Sequence, residues 1–452
     1  MGMCVARGGL LWLALVCIGL ATGPVSVAHG QAPPAATTDR AAYDAAFKAM
    51  MADPGNLQKS FTFAELAIKV GDLEGAVAAL ERMLIIAPNL PRVRLELGVL
   101  YYRLGSFETA RKYITEVLAL PDVPPPVRER AQTFLAEIDR QIRPHKFAGT
   151  ILFGFRYQSN ANAAPTGGQV RFGGFDAQLD RQFTAKRDWN SFIIANVQHL
   201  WDLGTQHGEA IDTQATVYAA RQFKSREVNL FYGSVTTGPR LALLPEQAPQ
   251  LTIRPYVGVD YVILGQATEY IAPAVGVGLE KRWRDVTVGL NGEARYRDYH
   301  NSASRSTNDF RTGWDKAVRL TGEWRPTPWL TLGAIVGGGR FDANQRFESY
   351  DEWLVGASAQ VTFGRPSWAP DDPFGLALSA ARVWDDYRRP DPAIDPAVTR
   401  RDREWRLSAT AQIPIADRLA VVVQGARNSR TSSLPNFDYT NYIAMVGLTW
   451  RF

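Results

Sequence analysis

The sequence predicts an α + β membrane protein: a short tetratricopeptide-like α-helical domain followed by an antiparallel transmembrane β-barrel of about 14 strands, with 16 as the other even count. Three observations predict it. An export-type leader opens the chain, a 34-residue period runs through the helical segment, and a period of two takes over from Lys146 to the terminal Phe452.

Bulk properties agree with this reading. A chain of 452 residues is too long for one ordinary core, so two folded domains are expected. Mean hydropathy is −0.17, as for a soluble protein, because a barrel alternates lipid-facing with water-facing residues. The net charge is only +5 and the basic residues are scattered. That excludes the concentrated basic stripe of a nucleic-acid binder.

Residues 1–30 read as a signal peptide. Arg7 supplies the positive start, Gly9 to Ala21 the apolar core, and Ala28-His29-Gly30 a small-x-small cleavage site. The core is shorter than the roughly 20 apolar residues of a retained anchor. Lipoprotein processing at Cys17 fails because Val16 precedes it. Cys4 and Cys17 both fall in the leader, so the mature chain offers neither disulfides nor thiolate metal ligands. Beyond Gln31 no apolar run is long enough for a spanning helix.

Residues 31–40 have linker composition, and 41–143 read as a helical domain. Pro54 and Pro88, Gly71 and Gly105, and Ala76 and Ala110 are each 34 apart, the tetratricopeptide period. Leu97-Gly98-x-x-Tyr101 matches the first-helix pattern, with Ala110 and Ile114 following. A plain helical bundle would not need three coincident spacings. By repeat register the concave, client-binding face carries Gln58, Phe61, Glu65, Lys69, Arg92, Tyr102 and Arg103.

From 144 to 452 the pattern is that of a barrel. Trp405, Leu407, Ala409, Ala411 and Ile413 alternate with Glu404, Arg406, Ser408, Thr410 and Gln412. Charges on one face need water, and the unbroken apolar face opposite needs lipid or a core. The runs reach the 9–11 residues of a tilted spanning strand, well beyond the usual soluble strand. Short turns such as 281–284, 325–328 and 414–417 alternate with longer polar loops at 300–311, 342–348, 388–401 and 427–436. Fifteen candidate strands can be marked. The ambiguity lies at 227–243, which reads as one strand or as a bent connection. Trp450 and the terminal Phe452 resemble the signal by which barrel-assembly machinery recognises its substrates.

No catalytic constellation emerges. The histidines His145, His199, His207 and His300 fall in no metal-ligand spacing, and no nucleophile elbow or phosphate-cradling loop is present. The reading is therefore not an enzyme, with no cofactor and no metal, and His199 is expected at an interface or in the barrel wall.

Several stretches, in order, carry a family resemblance: Ser159-Asn160-Ala161-Asn162-Ala163-Ala164-Pro165, Gly238-Pro239-Arg240, Arg254-Pro255-Tyr256, Arg295-Tyr296-Arg297-Asp298-Tyr299, and Asn428-Ser429 through Phe437-Asp438-Tyr439. With the two-domain layout, the chain resembles the surface lipoprotein assembly modifier (Slam-like) family over residues 41–452. The resemblance implies an outer-membrane translocator that carries client proteins, surface lipoproteins or secreted proteins, from periplasm to cell surface. A periplasmic helical domain would position the client. A barrel in outer-membrane lipid would supply the path, with Arg156, Asp176, Asp180, Arg254, Asp260, Glu293, Arg295 and Arg406 as lumen residues. The alternatives are an exopolysaccharide export porin, whose path would favour lumen-facing aromatics, and a passive porin or adhesion scaffold. The aromatics of the final strands are expected on the lipid face.

Overall fold

The computed structural model describes residues 37–452 apart from 143, 206, 249, 370 and 371. The leader read over 1–30, with both cysteines and His29, lies outside the described residues. Two compact units are present, one helical and one a barrel.

The helical unit comprises α1 (Thr37–Ala52), α2 (Leu57–Val70), α3 (Leu73–Ile86), α4 (Pro91–Arg103), α5 (Phe107–Ala119) and α6 (Pro125–Ile142). Helix α1 begins inside the stretch read as linker, so 37–40 are helical. The polar Thr-Thr-Asp composition that suggested a linker also suits a first turn, where Asp39 complements the helix dipole. Asn56 caps α2 by accepting from the Gln58 and Lys59 amides, and Gly71, at φ 87°, ends it. Asp72 then caps α3 through the Gly75 amide. Small residues bring paired helices together. Ala64, Ala67 and Ala76 are buried, and Gly98 leaves room for the Ile114 side chain. Leu80 and Leu97 complete one cluster; Ile114 and Ile138 belong to a second. Burying each such side chain contributes roughly 2 kcal/mol.

The second unit begins at β1 (His145–Gln158), followed by a small hairpin, β2 (Gln169–Phe172) and β3 (Phe175–Gln178). Next come β4 (Asp188–Asp202), β5 (Ala210–Gln222), β6 (Leu230–Ala242) and β7 (Leu251–Leu264). Then follow β8 (Ala267–Arg282), β9 (Val286–Tyr299), β10 (Gly313–Thr327) and β11 (Leu330–Ala343). The last five are β12 (Tyr350–Phe363), β13 (Phe374–Tyr387), β14 (Arg401–Ala416), β15 (Leu419–Ser432) and β16 (Tyr439–Arg451). All but β2 and β3 form one closed antiparallel barrel of 14 strands, sealed where β1 pairs with β16. The ambiguous 227–243 segment holds the single strand β6, entered through a 3₁₀ turn at Arg226–Val228.

Closure leaves no edge, so every barrel strand has both neighbours. Along the middle of the wall the outward side chains are largely apolar, including Val257, Val275, Val318, Leu320, Val355 and Leu407, all exposed. Two belts of tryptophan bound this band. Trp189, Trp314, Trp353 and Trp405 lie towards one end, and Trp201, Trp283, Trp324 and Trp450 towards the end carrying both barrel termini. An exposed apolar band between aromatic girdles is the outer surface of a barrel immersed in lipid. The architecture is that of an outer-membrane barrel protein with a helical domain attached. None of the described helices is long and apolar enough to span a membrane.

Candidate functional site

The inner wall of the barrel carries most of the buried charge. Strand alternation places Arg156, Arg254, Asp260, Glu293, Arg295 and Arg406 on it, as their pairings show. Asp176 and Asp180 are a correction. Asp176 lies on β3 and Asp180 just after it, both exposed, within the 159–187 loop and outside the barrel wall. A polar hairpin alternates as a wall strand does, so the sequence pattern alone places them wrongly.

Most of these inner charges are paired within the wall, and Arg156 instead meets the Tyr218 hydroxyl. Residues two apart on a strand share a face, which joins Arg406 to Glu404 at 2.7 Å and Arg295 to Glu293 at 2.7 Å. Cross-strand neighbours extend the links: Arg295 to Asp260 at 2.6 Å and Arg430 to Glu404 at 2.6 Å. Arg254 lies 3.5 Å from Asp212 and donates to Thr236 Oγ1 at 2.9 Å. Arg297 is bonded to Asp315. Such pairing offsets the cost of taking charge out of bulk water.

Sequence reasoning missed a second feature: aromatic rings on the same inner face. Phe192, Tyr218, Tyr270, Tyr299, Phe341 and Tyr439 are all buried there. Guanidiniums cover them. Arg156 lies over Phe192 and Tyr218 and donates to the Tyr218 hydroxyl. Arg297 lies over Tyr270 and Phe341, and Arg430 over Tyr439. On the outer face, Tyr442, Trp450 and Phe452 point to lipid, as read, whereas Tyr439 on the same strand departs from that reading and is buried on the inner face, because strand alternation sends residues 439 and 442 to opposite sides. Among the described residues, no group of three His, Cys, Asp or Glu side chains could hold a metal ion. His199 lies on the outer wall, its Nε2 3.0 Å from His145 Nδ1 and its ring stacked on Phe147.

At the end away from the barrel termini, three loops pack into a cap. The β2–β3 hairpin donates from Gly173 and Gly174 to the carbonyls of Ala393 and Ile394. Arg171 reaches Asp395 at 2.8 Å, and its backbone exchanges hydrogen bonds with the Asn436 amide. Ile394, Leu434 and Phe437 form a small core beneath. Asp395 also accepts from the Ala397 amide; those bonds, with Arg171, hold its carboxyl below the usual range.

In the helical unit, Gln58, Glu65, Lys69, Arg92 and Arg103 are exposed. Tyr102 is half-buried. Its ring packs against Phe107 and Phe134, which gives it a role in helix packing. Phe61 is likewise half-buried against the first cluster. The Tyr101 hydroxyl donates to Glu81 at 2.7 Å; that bond and burial push its pKa up to about 12.

Residues 67–123 match the tetratricopeptide repeat family. No curated protein matches the chain. Among solved structures, the Yersinia enterocolitica type III secretion chaperone SycD, in complex with a peptide of the translocator YopD, is 13% identical. It covers 23% of this chain and 82% of its own, with a TM-score of 0.22. The first such domain of Spaghetti (RPAP3), bound to an HSP90 peptide, is 21% identical over 23% of this chain and 80% of its own, TM-score 0.21. An anion-selective porin from Comamonas acidovorans is 6% identical over 68% of this chain and 99% of its own, TM-score 0.34.

Proposed function

We propose that this protein is an outer-membrane translocator of the Slam-like kind, carrying client proteins from periplasm to cell surface. The observation that carries the reading is the union, in one chain, of a tetratricopeptide unit and a closed barrel whose inner charges are mostly paired. Helical repeats offer extended side-chain surfaces for binding peptide segments, and here Glu65, Lys69, Arg92 and Arg103 are the exposed candidates. The helical unit sits in the periplasm and positions the client, a lipoprotein or secreted protein. The barrel provides the path and is inserted by the barrel-assembly machinery through Trp450 and Phe452. The protein performs no catalysis and takes no cofactor.

Export of a polysaccharide is the second reading, favoured by the inward aromatic rings. Those rings are buried and capped by arginine, whereas sugar stacking needs open ring faces. The protein-client reading is therefore preferred. Deleting the gene and shaving intact cells with protease tests it: loss of one or more surface proteins is expected. Unchanged surface proteins together with lost extracellular polysaccharide would reverse the preference.

A further inference from the structure

The outer wall is not uniformly smooth. A groove of about 650 Å³ runs between β10 and β12, where β11 carries Gly337, Gly338 and Gly339 in succession. Gly338 faces outward opposite Trp353, and its missing side chain sets the depth; a Cβ there would lie 3.1 Å from the Trp353 ring. Val318, Leu320 and Val336 form the apolar floor. The groove is open along its outer side, and its walls are largely apolar.

Charges crown the groove at the end away from the barrel termini. Lys316 and Arg340 point outward above the floor, and Arg388 enters from the adjoining loop. Two carboxylates answer these three cations. Arg388 bridges both, reaching Asp342 at 2.8 Å and Asp351 at 3.3 Å. Lys316 lies 3.5 Å from Asp342, and Arg340 uses Nε on Asp351 at 2.7 Å. Both Lys316 and Arg340 remain more than half exposed. The cluster is left with one excess positive charge, and the Arg340 fork retains donors suited to a phosphate.

We infer that this groove binds a phosphorylated, acylated lipid of the lipid A class. An acyl chain would lie on the Gly338 floor beside Trp353, with a phosphate against Lys316 and Arg340. The assignment to an outer-leaflet lipid rests on the orientation in the functional reading, which puts this end at the cell surface.

The test uses the full chain purified in detergent, with native mass spectrometry of added lipids. The probes are diphosphorylated lipid A, its dephosphorylated form and phosphatidylglycerol. Lipid A is expected to bind and to outlast the other two. Lys316→Gln with Arg340→Gln should lower its occupancy about tenfold, as expected for losing charge-assisted phosphate contacts. Gly338→Val should also lower it, by filling the floor, while Arg427→Gln on the outer face of β15 should leave it unchanged. Heat-modified gel migration confirms that each variant is a folded barrel. Binding that ignores all three substitutions overturns the site. Phosphatidylglycerol binding as strongly as lipid A overturns the outer-leaflet assignment. Protease cleavage within 388–400 on intact cells reads the orientation separately.

Discussion

Arg430 on β15 and Glu404 on β14 face one another across the ladder at 2.6 Å, each side chain only 4% exposed. Glu404 serves Arg406 as well, at 2.7 Å, so one carboxylate holds two guanidiniums on the inner wall. Glu404→Ala removes that shared partner; only Asp402, at 3.6 Å, then remains near Arg430 among its ion pairs. The expected cost is about 3 kcal/mol in urea unfolding from lipid vesicles. The double variant Glu404→Leu with Arg430→Met should be less damaging than Glu404→Ala alone, because only one of the two guanidiniums then loses Glu404.

Gly98 governs the fit of α4 against α5. A Cβ there would lie 2.6 Å from Ile114 Cδ1, and Ile114 is fully buried. Gly98→Val is expected to destabilise the protein by about 2 kcal/mol through overpacking. Ile114→Ala in the same chain should restore part of it. A double-mutant cycle on helical signal loss checks the coupling.

The loop cap should respond to acid in one direction only. Asp395 is held ionised below its unfolded pKa by the Ala397 amide and Arg171. A carboxylate with a lowered folded pKa stabilises above its unfolded value, about 4, and that contribution is lost as pH falls through the folded pKa. A spin label at Ala177→Cys, in the exposed part of the hairpin, should report one immobilised state from pH 5 to 8 and release below about pH 4. Asp395→Asn should already be looser at pH 7.

Phe452 closes the barrel seam. Its backbone N–H and C=O exchange bonds with Gly149 at 3.1 and 3.0 Å, and its ring lies where a Gly149 side chain would be. Deleting Phe452 should reduce the folded barrel in membranes several-fold, read from gel migration with and without heating. A Phe452→Tyr variant should assemble normally.

Much of the architecture is legible in local chemistry. The 34-residue spacing puts Gly71 and Gly105 at equivalent inter-helix turns, and both adopt positive φ. Alternation from Trp405 to Ile413 faces outward throughout. Legibility fails where a pattern is shared by two environments. Asp176 alternates like a wall residue yet belongs to a loop hairpin. Phe192-Ile193-Ile194 is apolar on both faces, so nothing local says that Phe192 points in and Ile193 out. Tyr101 and Tyr102 differ by one helical step, which sends one ring to Tyr113 and the other to Phe134.

The largely self-paired inner wall has a kinetic consequence. In the proposed translocator, a client segment would meet donors and acceptors largely engaged with each other, which makes each electrostatic well shallower than an unpaired charge would. Shallow, closely spaced wells favour throughput over retention. Transport through such a lining should depend less on the sign of the client's charge than through a lining of unpaired charges of one sign.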